Sequence, residues 1–301
     1  MNGGSNYIDI DGTLWRSPLL GVFHDNKDTV RSQLATMYDS GQRMISFIVW
    51  FCDADAYGHT EDLWQYMFNS HNGDLAAQYK QNIVEVLALA QEAGFTQIHF
   101  RLGGQLNALP EWDTWDESRF QQCLDFTMNV RNLVAANVSV TTRFDLAGEY
   151  VSGKNFYMQY CTELWRAYTR DVGSTDATFS IILAHRPATA KKNAQLIVNT
   201  LKGAGLPLPK FHLVDCYGNE YLSLKAFHDG MVAVGQGNVP VYLQETYYND
   251  KATAAELKKA KTIPGLKLKA VFQWPGIRGT AMDNVNFEPV FPKGFKNYSS
   301  I

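Results

Sequence analysis

Four cysteines in 301 residues are too few and too scattered for a disulfide framework. Cys52, Cys123, Cys161 and Cys216 make neither a C-x-x-C pair nor a zinc spacing, and read as reduced core thiols. Apolar runs are no longer than a strand, residues 45–52 being typical, so no membrane insertion is expected. The net charge is −3 with the signs interspersed and no Lys/Arg run, which argues against nucleic acid as a partner. There is no Gly-rich phosphate turn and no His/Cys/carboxylate cluster at ligand spacing, so neither a cofactor nor a metal is expected. The opening "MNGGSNY" has no apolar stretch, and the expectation is a chain without a secretion signal.

What the sequence does have is core. Hydrophobic residues make up 46% of the chain and aromatics 13%, enough for one large domain or two small ones. Strand-like runs fall at 18–23, 44–51, 97–102, 138–146, 179–183, 211–217, 239–246 and 268–274. Amphipathic helical patterns lie between them, several stopped by a glycine as at Gly41, Gly94 and Gly203. Eight such alternations over roughly 250 residues predict an α/β fold of the (β/α)8 TIM barrel type, one catalytic domain over 1–301. A doubly wound sheet would open with a Gly-rich turn after its first strand, and "FHDNKDT" is not one. The eighth helix reads as weak or missing, because residues 278–300 are mostly loop in character. Segments after strands are long and aromatic, whereas those before strands are as short as "GFT", so the long ones belong to the C-terminal face where barrel sites are built.

"SNYIDIDGTLWRSP" at 5–18 contains D-x-D-G-T, the signature of phosphotransferases whose first Asp is phosphorylated. That chemistry needs a buried hydrophobic strand before Asp9 and a later acidic pair for magnesium, and neither is present. Two alternating stretches around an Asp-Gly turn instead predict an N-terminal β-hairpin over 5–16, with Asp9 and Asp11 as turn residues. Running into a first strand at 18–23, it would cap the N-terminal end of the barrel.

Strand four ends "TTRFDLAGEY" and strand seven "VPVYLQETYY", so Glu149 and Glu245 face one another across the mouth. Two carboxylates about 5 Å apart suit a retaining glycosidase, one as nucleophile and one as proton donor. Trp274, in "AVFQWPG" at the end of strand eight, offers a flat face to a sugar ring. An ionisable group between "VYLQ" and "TYY" is seldom merely structural. Glu149 has a plainer reading as a loop carboxylate, with Asp145 paired to Arg143.

On these residues the chain resembles the clan A retaining glycoside hydrolases, over essentially its whole length. The resemblance implies Glu149 as acid/base, Glu245 as nucleophile, Trp274 as the platform of the cleaved sugar and Tyr217, in "HLVDCYGNE", as a site-lining residue. The chain departs from the clan at Gly148, where Asn usually precedes the acid/base; its hydrogen bond to the sugar would come from Asn107 or Asn219. Other strand-end residues, Arg101, His185, Asp215 and Tyr247, are subsite candidates, as are Asp53, Asp55, Arg186 and Tyr248. Trp64, Trp112 and Trp115 would wall a groove for a poly- or oligosaccharide, the implied partner, cleaved by endo action. Two alternatives remain: a chitinase-like, substrate-assisted enzyme using Asp145 and Glu149, whose D-x-x-x-E spacing is too wide, and a carbohydrate-binding barrel without chemistry.

Overall fold

The computed structural model describes residues 2–11, 16–20, 22–57, 66–151, 154–183, 186–279 and 290–301. Parallel strands form a nearly closed ring, the predicted (β/α)8 architecture. They are β1 Asn2–Asn6, β2 Met44–Cys52, β3 Gln97–Gly104 and β4 Thr141–Asp145, then β5 at 177–182, β6 His212–Asp215, β7 Pro240–Glu245 and β8 Lys267–Gln273. The segment 177–182 joins the two edges: Ala177–Thr178 pairs with β4, and Ser180–Ile182 pairs with β6. A short strand, Met67–Asn69, pairs with the end of β2 outside the ring.

Each barrel strand leads to a helix: α1 Lys27–Asp39, α2 Ala77–Glu92, α3 Glu117–Asn137, α4 Asn155–Asp171, α5 Pro187–Gly203, α6 Glu220–Ala233, α7 Lys251–Ala260 and α8 Lys296–Ser299. Their inward stripes make the main core. On α4, Tyr157, Cys161, Leu164, Trp165 and Tyr168 recur at helical spacing and are buried. Asp116 and Asp250 cap α3 and α7 by accepting the Arg119 and Thr253 backbone N–H groups. The last helix is a single turn, in line with the weak pattern in the sequence, and is anchored by the buried Tyr298.

The first strand corrects the sequence reading. Residues 18–20 are turn and bend, followed by a short helix, Val22–Asp25; the strand is "NGGSN", parallel to β8 and β2 on its two sides. It has no hydrophobic pattern because the neighbouring backbones leave no room for one. A Cβ on Gly4 would lie 1.6 Å from the Met44 carbonyl oxygen, and one on Gly3 1.9 Å from that of Val271. The expected hairpin therefore begins inside a barrel strand. What remains of it is a turn closed by the Ile10 N–H donating to the Arg16 carbonyl at 3.0 Å, with 12–15 outside the described residues. Asp9 accepts the Asp11 backbone N–H at 2.9 Å, as a turn residue does. Since this loop follows β1, it lies on the C-terminal face and does not cap the barrel's N-terminal end.

Inside the ring the side chains form layers. An apolar floor of Met44, Phe211, Leu213, Tyr242, Ala270 and Phe272 carries the Arg143 guanidinium, 4.4 Å from the Phe211 ring centre. Arg143 is thus a floor residue, and the expected pairing with Asp145 is replaced by one with Arg101. The middle layer is polar: Asn6, Ser46, Arg101, Asp145, Asp215 and Gln244 are all buried. Ile8, Ile48 and Trp274 roof it, with Trp50 and Tyr217 against them.

Gly4→Ala should lower the free energy of unfolding by about 2–3 kcal/mol through backbone displacement at the β1–β2 seam. Urea unfolding followed by circular dichroism reads this, and a midpoint equal to the parent's would show that the close approach of β1 is not needed.

Candidate active site

The site is built on the middle layer. Arg101 enters from β3, only 4% exposed, and meets carboxylates from three other strands. Its Nε lies 3.5 Å from Asp145 Oδ2, its Nη2 lies 3.4 Å from Asp215 Oδ2, and its Nη1 donates to Glu245 Oε1. Burial alone would lower the Arg101 pKa, but the charges of Glu245, Asp215 and Asp145 outweigh it and raise it. The guanidinium is therefore a fixed positive charge in the barrel's centre.

Glu245 reaches inward through an irregularity in β7. Val214 pairs with Leu243 and Asp215 with Glu245, leaving Gln244 as an extra residue. Such a bulge re-aims side chains, and here consecutive residues both serve the interior. Gln244 Nε2 donates to Asp145 Oδ2 at 2.7 Å, while Glu245 takes Arg101 on one oxygen and the Tyr217 hydroxyl, at 2.7 Å, on the other. Burial first, then the Glu245 charge, holds the Tyr217 phenol well above its usual range, so it stays a donor. Both oxygens of Glu245 are thus met as an anion's should be.

Glu149 is placed by its backbone. It follows β4 in a left-handed conformation, φ 65°, which costs a non-glycine residue about 1–2 kcal/mol. Its N–H donates to Ser180 Oγ at 2.6 Å, and the Ser180 N–H donates to Asp145 Oδ1 at 3.0 Å. Asp145, in turn, is held by Arg101. The strain at Glu149 is therefore maintained by the same network that holds Glu245, as expected where a backbone outlier serves a site.

The carboxyl oxygens of Glu149, Asp215 and Glu245 lie within 4.8 Å of one another. The Glu149 carboxyl is pushed up to about 7, first by loss of water around it and then by the charge of Glu245, with Arg101 opposing and Asp145 adding. Its side chain opens on the barrel mouth. Asp215, 2% exposed, is also held well above the carboxylate range, by burial and then by Glu245. These three are the group of side chains, among the described residues, that could hold a cation. A cation there would face the guanidinium already lying against two of them.

Of the other predicted residues, several are gathered here. Trp274 is 6% exposed, with the Arg101 guanidinium carbon 5.9 Å from its ring centre and Trp50 at 6.3 Å. Tyr247 stands edge-on to Tyr217 at 5.1 Å, with Arg278 over its own ring at 4.3 Å. Others serve structure. Both ends of the Asn107 amide bond the Asp53 main chain, at 3.1 and 2.9 Å. Asn219 sits exposed in a left-handed turn at the N-cap of α6, and Arg186 occupies the N-cap of α5. Asp55 pairs with His71 at 3.2 Å, and the Tyr248 hydroxyl accepts the Gly294 N–H. Trp112 and Trp115 contact each other at 5.6 Å and line an open groove of about 700 Å³ with Leu106 and Leu109. His185 and Trp64 lie outside the described residues. Asn6, Ser180 and Gln244 were missed in the sequence, although the strand-end position of Gln244 beside Glu245 was a usable signal.

No protein-family model matches the sequence, and no curated protein does so significantly. Solved structures do resemble the fold. A GH5_18 from Bifidobacterium longum subsp. infantis aligns over 100% of this chain and 78% of its own, at 13% identity and a TM-score of 0.61. The exo-beta-1,4-mannosidase Op5Man5 from Opitutaceae bacterium strain TAV5 aligns over 91% of this chain but 51% of its own, at 13% identity and 0.58. A GH5_18 variant from Bifidobacterium longum subsp. longum, in complex with Manb1-4GlcNAc, aligns over 99% of this chain and 77% of its own, at 11% identity and 0.57. At such identities the likeness is one of fold: a (β/α)8 barrel of the kind found in glycoside hydrolases.

Arg101→Met should leave the clustered carboxylates without their counter-charge, at a cost of about 3–5 kcal/mol at neutral pH. The sign with pH follows from proton binding. Glu149 and Asp215 already have raised native pKa values, and loss of Arg101 raises them further, so the native state binds more protons than the unfolded one. Stability of the variant therefore falls, relative to the parent, as pH rises from 5 to 7.5. Urea midpoints at both pH values test this; an equal deficit at each would mean that Arg101 acts by packing rather than by charge.

Proposed function

We propose that this chain is a retaining glycoside hydrolase, with Glu245 as nucleophile and Glu149 as acid/base. One observation carries the reading: Glu245, bonded by Arg101 on one oxygen and Tyr217 on the other, has an oxygen within 4.8 Å of one on Glu149, whose carboxyl is pushed up to about 7. Oxygens this close are compatible with the carboxyl separation of about 5–5.5 Å that direct attack and retention need. Asp145 is committed to Ser180, Gln244 and Arg101, so the aspartate of the D-x-x-x-E reading is not free to orient a substrate group.

In the first step the Glu245 carboxylate attacks the anomeric carbon while Glu149 gives its proton to the departing oxygen. Esterification removes the negative charge of Glu245, which had been raising the Glu149 pKa. Glu149 then stays ionised and takes a proton from water as that water displaces Glu245. The substrate class is an oligo- or polysaccharide, a reading supported by the sugar complex of one structural neighbour. We extend the proposal to internal bonds; the mass of first products separates this from the exo action named for another neighbour.

Glu245→Gln should abolish turnover, since an amide forms no glycosyl ester. Glu149→Ala should cost about 10²–10⁴-fold on natural substrates and far less on activated aryl glycosides. Added azide should rescue that variant with net retention. Inversion at the anomeric carbon, or full activity of Glu245→Gln, would reassign the carboxylates.

Activity of the parent should survive EDTA, because Arg101 rather than a cation compensates the carboxylates. Loss on chelation, with recovery on adding a divalent ion, would turn the three-carboxylate group into a metal site.

A further inference from the structure

Donors are unevenly shared within the carboxylate cluster. Glu245 has Arg101 on Oε1 and the Tyr217 hydroxyl on Oε2. Asp145 has the Ser180 N–H and the Gln244 amide, with the Arg101 Nε beside it at 3.5 Å as an ion pair without a hydrogen bond. Asp215 has one long contact, Arg101 Nη2 at 3.4 Å, and its Oδ1 is buried without a hydrogen-bond partner. An ionised carboxylate left so bare in a buried site is strongly disfavoured. A proton on that oxygen removes the charge and turns an unmet acceptor into a donor.

We propose that Asp215 is an uncharged carboxylic acid, as Glu149 is before the first step, and donates its proton in a hydrogen bond to the sugar hydroxyl beside the anomeric carbon. The sugar half rests on the glycosidase reading; the protonation half does not. One of its carboxyl oxygens lies within 4.8 Å of an oxygen of Glu149 and of Glu245, and the proposal seats the sugar with the hydroxyl beside its anomeric carbon on Asp215. The Asn107 amide is committed to the Asp53 main chain, and Gly148 has no side chain. Around Asp215 stand Arg101 from β3, Asp145 and Glu149 from β4 and its following loop, Glu245 from β7, and Tyr217 just beyond β6. Three acidic neighbours against one guanidinium favour the neutral form, and burial pushes the same way. A carboxylic acid kept neutral so that it can donate is a known device of buried sites.

The protonation is read without substrate. Infrared difference spectra of the parent minus Asp215→Asn at pH 7 should show a protonated-carboxyl band; a carboxylate band in its place overturns the proposal. Should that variant not fold, parent protein labelled with ¹³C at its aspartate carboxyls should keep one aspartate protonated at pH 7, and complete ionisation by pH 6 overturns it. The donor role is read with an aryl glycoside and its analogue lacking the hydroxyl beside the anomeric carbon. Asp215→Ala should lower kcat/KM about 100-fold on the first and less than about threefold on the second, since that hydrogen bond strengthens in the transition state. Equal losses on both overturn the donor role. Absence of turnover of any glycoside by the parent overturns the glycosidase reading and the sugar half with it, while the infrared band still decides the proton.

Discussion

The Arg101 guanidinium is the interaction on which the site depends. It is one buried positive charge facing carboxylates delivered by β4, β6 and β7. Each such pair at about 4 Å is worth about 4 kcal/mol of gross attraction at an effective dielectric constant of 20, against a desolvation cost of several kcal/mol per ion. The balance is therefore close, and one guanidinium cannot compensate every acid around it. The remaining donors are unevenly shared: Glu245 also has the Tyr217 hydroxyl, and Asp145 has the Ser180 N–H and the Gln244 amide. The two carboxyls pushed upward are those of Glu149 and Asp215.

That asymmetry links packing to chemistry. A general acid needs a pKa near the working pH, and a nucleophilic carboxylate must keep its charge until it attacks. In the proposed reading one arrangement supplies both, because the Glu245 charge that Arg101 and Tyr217 contact is among the causes that raise Glu149. An ester at Glu245 would remove that cause, and the proposed acid would then serve as the base.

Much of this was legible in the sequence, and the exceptions have physical reasons. Runs such as "MISFIVWFC" in β2 are buried on both faces, as parallel barrel strands are, and so stand out as strands. Glu149 and Glu245 were legible because a carboxylate at the end of an apolar strand is conspicuous. The first strand was not, since "NGGSN" is shaped by what its neighbours exclude and carries no periodic signal. The polar layer was only partly legible. Arg101 and Asp215 stood out as charged residues at strand ends, but their partnership is non-local, and alternation alone pointed Asp145 to Arg143. Two-residue spacing places Arg143 and Asp145 on one face without stating that the first lies on the floor and the second a layer above.

The glycine strand and the bulge in β7 belong together. Because Gly3 and Gly4 carry no Cβ, β1 lies tight between β8 and β2, and that brings Asn6 at its end into the barrel's centre. There the Asn6 amide donates to the Gln244 carbonyl at 2.9 Å and to the Gln273 carbonyl at 3.3 Å, while its Oδ1 accepts from Arg101 Nη1 at 3.5 Å. Gln244 is the extra residue in β7, and Asn6 donates to its carbonyl. A bulged backbone would otherwise leave a buried acceptor unpaired, a penalty of about 1–3 kcal/mol. The bulge that turns Glu245 towards Arg101 is thus supported from the side by a strand whose only unusual feature, in sequence, is a pair of glycines.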